Sequence, residues 1–518
     1  DKPIDDIGKE VEARRQKEAG AHPPKKSGDN DKGLNSRFII KCLNANELGD
    51  GMLYAAIHKN KYIFNKSTGG WMIWTGHYWD IDHFNRAHAN VEGVSDVYLK
   101  EAYNIVDRIK QATKQEKDDE VKQLTKLQTR IYKRVRRLRE EKGRVNTLKF
   151  AHTNQEMAIS IKGDELDQQP LLLGTPGGVI ELRTGTFRPG RPDDLISIIS
   201  PIEWQGIDCP APTWELFLMD VFEKNLELMD FIARLFGYAA AGLNIEHVFP
   251  ILIGRGRNGK GTIIEIMMHV MGDLAAPISA ETLLDQGRAR NSAGPSPDIM
   301  AFRGLRMAFA SETDEDRRFS HSRVKWLTGG DSLTGRQLQS SLVKFETTHT
   351  LFLMTNHEPQ AQSDDFSFWE RVFIIPFNLS YVNREPAADY ERPADKHLME
   401  KLKTEGPGIL AWLVRGYLAW QQIGIDPPLI VQRATEDYHR NEDVMQDFLD
   451  MCCFLEPAQE TGASELHSAF AVWWTENMSN RVPSQKKFGK WMRRRFKWEK
   501  IGTVRYYGLG LKSEEFGS

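Results

Sequence analysis

Apolar side chains are spread unevenly along the 518 residues. Residues 1–36 are polar and charged around Pro23, Pro24, Lys25 and Lys26, with too little apolar surface to order themselves, and read as a linker. From Phe38 to Asp82 the pattern breaks into short aromatic runs, Tyr62-Ile63-Phe64 and Trp71 to Trp79, divided by Gly69 and Gly70. Such runs predict short strands and tight turns in a small α+β module. Helical spacing over Ser95 to Phe150, with Gly143 near a break, predicts a long helical hairpin. Turn residues alternate with short strands from Gly174 to Gly185, and a helical pattern returns from Thr213 to Gly242 around Trp214, Phe217, Phe222, Phe231 and Phe236.

Val248–Ile253 is an apolar strand, and Ile263, Ile264, Met267, Met268 and Met271 follow at helical spacing up to Gly272. Three more apolar runs, 306–311, 350–355 and 372–377, predict further strands. Ile409, Leu410, Trp412, Leu413, Tyr417 and Trp420 predict a helical cap. Beyond Glu465 the order is helix, turn at Pro483-Ser484, a basic helix from Lys486 to Phe496, then strands through Leu511, a winged-helix pattern. On that basic helix Lys490 and Arg494 are candidates for DNA, against a solvated face or a protein-docking module.

Composition changes this picture little. Forty per cent hydrophobic and 27% charged residues fit a globular chain with several cores, and the net charge of −3 neither selects nor excludes a polyanionic partner. Lys126, Arg130, Lys133, Arg134, Arg136, Arg137 and Arg139 form one basic block, read either as a solvated helix face or as a nucleic-acid contact. The four cysteines have no paired metal or disulfide spacing and no apolar run approaches membrane length, so reduced thiols, no membrane and a cytoplasmic setting are expected. The chain opens at Asp1 without methionine, and an amino-terminal part is expected to be missing.

The chemistry lies between the strand at 248–253 and the helix after it. Gly254, Gly256 and Gly259 let the backbone curl so that N–H groups face an anion, with Asn258 in the loop and Lys260 as a cation for the outer phosphates. The usual loop has Ser or Thr directly after the lysine to hold magnesium. Here Gly261 stands there, and Thr262 is the substitute, directly or through water. Glu312 ends a neighbouring strand and is the candidate for magnesium and water activation, with Asp314 second. Asn356 ends another, where an amide can orient water, or else it is a turn residue. Arg371 precedes the last strand, placed to reach a neighbouring subunit. Asp80 and Asp82 alternate on a strand as metal-binding carboxylates do, but no second acidic strand accompanies them and the catalytic reading is rejected.

GxGxNGK at 254–260, the strand ending in Ser311-Glu312-Thr313, LTGGDxLTGR at 327–336, LFLMTNHEP at 351–359 and Trp369-Glu370-Arg371 before an apolar strand form an ordered series. The series resembles superfamily 3 helicases of the primase–helicase type found in viruses, phages and plasmids, over most of residues 38–518. That resemblance implies an AAA+-like α/β fold, a parallel-sheet ATPase motor binding ATP and Mg2+. Its residues would be Lys260 and Thr262 on phosphate and magnesium, Glu312 as the second acidic motif, Asn356 as sensor and Arg371 as arginine finger. Glu370 stands where the family often has a second arginine. The segment with Arg336 and Lys344 matches the family's DNA-contacting hairpin. The implied partners are single-stranded and forked DNA, five like subunits in a six-membered ring, and a primase domain or polymerase. The expected domains are the linker 1–36, an α+β and helical domain 37–212, the motor 213–385 with its lead-in 213–245, a helical cap 386–455 and a winged-helix-like domain 456–518. Two other functions stay open: a P-loop kinase-like phosphotransferase, and an ATP-binding initiator or structural ring that does not unwind.

Overall fold

The computed structural model describes residues 34–285, 296–311, 318–336, 342–359, 365–442, 444–478 and 482–512, with Lys9 and Ala361 besides. Most of the expected linker 1–36, together with Glu312 and Asp314, lies outside the described residues. The chain forms two compact units, the first made mainly of residues up to 169 and the second mainly of residues from 200 onward, with the segment between contributing to both.

In the first unit, helices α1 (Ser36–Asn44) and α2 (Asn46–His58) lead into strands β1 (Tyr62–Asn65), β2 (Gly70–Trp74) and β3 (Trp79–Ile81). These strands pair antiparallel with Phe64 opposite Trp71, and β4 (Ser160–Ile161) joins β1 in parallel, giving the order β3-β2-β1-β4. The aromatic runs are therefore strands, and Asn65 Oδ1 holds the turn between the first two by accepting from Ser67 N at 2.9 Å. Helices α3 (Glu92–Lys114) and α4 (Asp118–Leu138) form the hairpin, and α5 (Glu141–Thr153) follows it. Asp82 caps the chain beyond β3, its carboxylate accepting from Arg86 N at 2.9 Å and Ala87 N at 2.7 Å.

The basic block lies on α4 and its C-cap Arg139, and four of its arginines are taken up inside the unit. Arg130 donates to Asn44 Oδ1 at 2.7 Å, Arg134 to Asn46 Oδ1 at 2.6 Å, Arg137 to Glu47 Oε1 at 2.5 Å and Arg139 to Glu92 Oε1 at 2.9 Å. Arg134 also meets Asp50 at 3.3 Å, with the two side chains only 9% and 2% exposed, and Tyr98 Oη donates to the same carboxylate at 3.0 Å. Burial pushes the Asp50 carboxyl up to about 6, against the pull of Arg134. Arg134→Ala leaves that carboxylate without its cation and is expected to destabilise this unit by about 3 kcal/mol in denaturant unfolding followed by circular dichroism. The folded value stands above the unfolded 3.8, so ionising Asp50 works against the fold as pH rises through about 6. The variant's deficit should accordingly be larger at pH 8 than at pH 5.

Along residues 170–199 the chain forms β5 (Leu172–Thr175), β6 (Gly178–Glu181) and β7 (Thr186–Arg188), as the turn-rich pattern predicts. The second unit begins with α6 (Pro212–Val221) and α7 (Leu226–Ala240), whose apolar residues are buried as their spacing predicts. Its centre is a five-stranded parallel sheet of β8 (Phe249–Ile253), β9 (Ala275–Ile278), β10 (Met307–Ser311), β13 (Thr350–Thr355) and β14 (Val372–Pro376), in the order β14-β8-β13-β10-β9. All four pairings are parallel, so every strand ends at the same edge. The strands read as near-continuous apolar runs because both faces are covered. Helix α8 (Lys260–Met271) follows β8, and α9 (His321–Thr328) leads to an antiparallel hairpin of β11 (Leu333–Gly335) and β12 (Val343–Phe345) with Thr334 opposite Lys344.

Strands β15 (Ser380–Val382) and β16 (Glu391–Pro393) make a short parallel ladder, followed by α10 (Leu398–Thr404), α11 (Gly406–Ile423) and α12 (Leu429–Asn441). The end of the chain runs α13 (Val444–Cys452), β17 (Cys453–Gly462), α14 (Ala463–Asn477), α15 (Gln485–Arg495), β18 (Trp498–Ile501) and β19 (Thr503–Leu511). Its sheet is antiparallel in the order β17-β19-β18, over a core that includes Phe448, Leu466, Phe470, Phe488 and Tyr506. Among the described residues no helix is long and apolar enough to cross a membrane.

Candidate functional site

The loop leaves β8 at Ile253 and enters α8 at Lys260. Gly254 (φ 156°), Arg257 (φ 61°) and Gly259 (φ 93°) turn it back on itself. A side chain at Gly254 would put its Cβ 2.2 Å from the Phe377 carbonyl oxygen, and one at Gly259 would stand 2.8 Å from Val221 Cγ2, so both positions need glycine for space as well as for φ. Asn258 is 3% exposed, and its amide donates to Phe377 O at 3.4 Å. No side chain caps α8, and its first-turn N–H groups form the positive end of the helix dipole.

Lys260 is 3% exposed. Its ammonium donates to Gly254 O at 2.5 Å and to Asn356 Oδ1 at 3.3 Å. Asn356 follows β13, which lies beside β8 with Thr355 opposite Ile253, so sheet register alone carries the amide to the lysine. Gly256, Asn258, Gly259, Gly261 and Thr262 join them in lining a cavity of about 420 Å3. That volume lies in the range of small-molecule sites. A Cβ at Gly261 would meet nothing within 4 Å, so the missing hydroxyl reflects this sequence and not a lack of room.

The far wall comes from places that the sequence pattern does not mark. Phe217 of α6, Tyr381 of β15, Asp395 and Leu398 also line the cavity. Tyr381 N donates to Arg257 O at 2.6 Å, and Tyr381 Oη donates to Asp220 Oδ2 at 2.6 Å. Asp395 accepts from Lys401 Nζ at 2.6 Å, and the Lys401 ammonium holds its carboxyl below the usual range. Each is remote in sequence from the loop, and only the ladder after β14 brings Tyr381 and Asp395 to it.

The remaining candidates stand elsewhere. Strand β10 ends at Ser311 beside Met354, and Glu312 beyond it lies outside the described residues. Arg371 is not in the cavity. Val372 pairs with Phe249 at the start of the sheet and Pro376 with Ile253 at its end, which puts Arg371 about 15 Å away at the opposite edge. Its Nη1 donates to Ser367 O, and its Nε is buried without a partner among the described residues. Lys344 is exposed on β12, while Arg336 is half-buried, its N donating to Ser296 Oγ at 3.0 Å and its O accepting from Ser296 N at 2.9 Å. Lys490 and Arg494 are exposed on α15, whose other face buries Phe488 and Met492. Ser484 caps that helix by accepting from Lys487 N. Among the described residues, no cluster of three or more His, Cys, Asp or Glu side chains could hold a metal.

A mixed α/β fold with a parallel sheet and a cavity at its carboxyl edge defines the class. Residues 51–223 match the family described as "D5 N terminal like". A protein of Acanthamoeba polyphaga mimivirus named "Putative helicase" is 27% identical over 343 residues, covering 64% of this chain and 36% of that protein. A "Putative helicase" of Frog virus 3 is 23% identical over 61% of this chain and 40% of its own length. A "Putative primase" of African swine fever virus is 22% identical over 61% of this chain and 34% of its own length. The resemblance drawn from the motif series therefore holds: the chain is similar to the viral primase–helicase type, and its matches span little more than a third of these relatives. Among solved structures, "The apo structure of NrS-1 C terminal region (305-718)" aligns at 11% identity over 63% of this chain and 88% of that one, with a TM-score of 0.35, too slight a likeness to bear on the fold.

Proposed function

We propose that this chain is the ATP-driven helicase portion of a viral-type primase–helicase, a ring-forming motor that moves along single-stranded DNA during replication. The carrying observation is the meeting of Lys260 and Asn356 beside the open amino terminus of α8, in the lining of the cavity. The loop amides and Lys260 bind and neutralise the phosphates, and Asn356, one strand over, orients the attacking water. Thr262 offers the hydroxyl for magnesium, which when bound would draw charge from the phosphate oxygens. Glu312 is the proposed water activator. Arg371, at the other edge of the sheet, supplies a cation to the site of the next subunit. Lys344 and Arg336 on the hairpin contact the DNA backbone inside the ring. The helix–strand–helix–helix–strand–strand order at the end of the chain supports a winged-helix reading, with Lys490 and Arg494 facing duplex or forked DNA.

Hydrolysis of ATP by the full chain, with and without single-stranded DNA, together with strand displacement on a forked substrate, tests this. Stimulation with displacement is expected. Transfer of phosphate to a nucleotide without any DNA effect would instead favour the kinase-like reading, and robust hydrolysis with no displacement on any tailed substrate would favour the initiator or structural ring. Gly261→Ser probes the magnesium assignment. The serine has room at this position and improves helix propensity by about 0.5 kcal/mol. The magnesium concentration for half-maximal hydrolysis should fall severalfold, and an unchanged magnesium titration would show that a hydroxyl at position 261 adds nothing to the one Thr262 offers.

A further inference from the structure

Arg371 follows one helical turn, Phe366–Trp369, and Asp365 stands just before that turn. Phe368 N and Trp369 N donate to Asp365 O at 3.0 and 3.2 Å, and Arg371 N donates to Phe368 O at 3.0 Å. The guanidinium reaches back to Ser367 O inside the same turn. Asp365 and Arg371 are thus two ends of one hydrogen-bonded piece.

The Asp365 carboxylate points to a different element. Lys325 of α9 donates to its two oxygens at 3.0 and 2.7 Å, and His321 Nδ1, also on α9, lies 3.2 Å from Oδ2. Ser367 Oγ joins both partners, donating to Asp365 Oδ1 at 2.9 Å and accepting from Lys325 at 3.2 Å. The His321 ring lies on Phe368 with centroids 4.0 Å apart and planes at 11°. Burial pushes the Asp365 carboxyl up, but the hydrogen bonds from Lys325 and Ser367 outweigh it and hold the group at about 2, so it is charged at neutral pH. Helix α9 ends at Thr328, and only residues 329–332 separate it from the first strand of the hairpin that carries Lys344.

We infer that Asp365 is a positioning residue that ties Arg371 to the β11–β12 hairpin through Lys325 and His321, so that DNA held at the hairpin governs where the guanidinium stands toward the neighbouring subunit's nucleotide. This rests on the function proposed above. Lys325 and Asp365 are 31% and 21% exposed, so solvent weakens their attraction, and the direction of the link comes from the ammonium gripping both oxygens. A shift of α9 therefore has a hydrogen-bonded route to Arg371 that bypasses the parallel sheet.

The test is steady-state ATP hydrolysis by the full chain with and without an oligothymidylate strand, with DNA affinity measured alongside. Asp365→Asn keeps the shape and removes the charge. It should lower the DNA-stimulated kcat about tenfold while the unstimulated kcat, the KM for ATP and the Kd for DNA stay within about twofold. Asp365→Glu should recover much of the stimulation. The inference is overturned when Asp365→Asn keeps the wild-type stimulation, or when it loses kcat in equal proportion with and without DNA, as a general structural defect would. Should that variant fail to fold, Lys325→Gln is judged by the same two criteria. A wild-type chain that hydrolyses no ATP, or hydrolyses it without regard to DNA, overturns the proposed function and this inference together.

Discussion

Lys260→Ala is expected to lower ATP hydrolysis about 10³-fold, because on the proposed function it removes the cation that compensates charge gathering on the outer phosphates. Lys260 is 3% exposed and its ammonium lies against Gly254 O and Asn356 Oδ1, so its loss also frees the carbonyl that helps close the loop. The fold itself should tolerate the change, since alanine suits a helix start and a buried charge is costly to keep. Thermal unfolding should therefore show no large loss while phosphate release falls to background. Hydrolysis within tenfold of wild type in a folded variant would take this loop out of the reaction.

The second large effect belongs to Arg371, and it separates two ways of building the site. Arg371→Ala should bind ATP normally and hydrolyse it about 10³-fold to 10⁵-fold more slowly, the range lost when an arginine finger is removed. Because β14 places this residue at the opposite edge of the sheet from the loop, the effect should be felt in a different subunit from the one mutated. Mixing Arg371→Ala chains with Lys260→Ala chains creates interfaces in which an intact loop faces an intact arginine. Random assembly would restore about a quarter of the wild-type rate, one interface in four being complete. Two inactive variants that stay inactive when mixed, in a preparation shown to exchange subunits, would confine the arginine's role to its own chain.

Much of the candidate site was legible because its signals are local. Gly254 and Gly259 need positive φ, the apolar run before them is a strand, and the periodic residues after Lys260 are a helix, so strand, loop and helix are written in consecutive residues. Asn356 was legible for a related reason: a polar residue ending an apolar run stops at the edge where all parallel strands stop. The opposite wall was not legible. Tyr381 and Asp395 arrive through a three-residue ladder with no hydrophobic period of its own, and Phe217 faces the cavity from a helix whose spacing marks it only as core. Strand β9, with Ala275, Ala276 and Pro277, also lacks a strand-like composition and owes its place to the edge of the sheet beside β10. On α4 the charge run was visible, but its partners were not, because Asn44, Asn46, Glu47 and Glu92 are distant in sequence and meet it only after folding.

The glycine loop between β8 and α8 is held from behind at several points by one stretch of chain. Asn258 and Gly254 close on the carbonyl of Phe377, Phe377 N returns a bond to Ile253 O at 2.8 Å, and Tyr381 N bonds Arg257 O. A loop moored in this way keeps its shape with nothing in front of it. Its ligand finds a mould already set, so association should carry a small ordering entropy and a modest heat-capacity change in calorimetry. On the proposed function, departure of the spent nucleotide need not wait for the loop to unravel, and the pace of successive cycles is left to motions outside it.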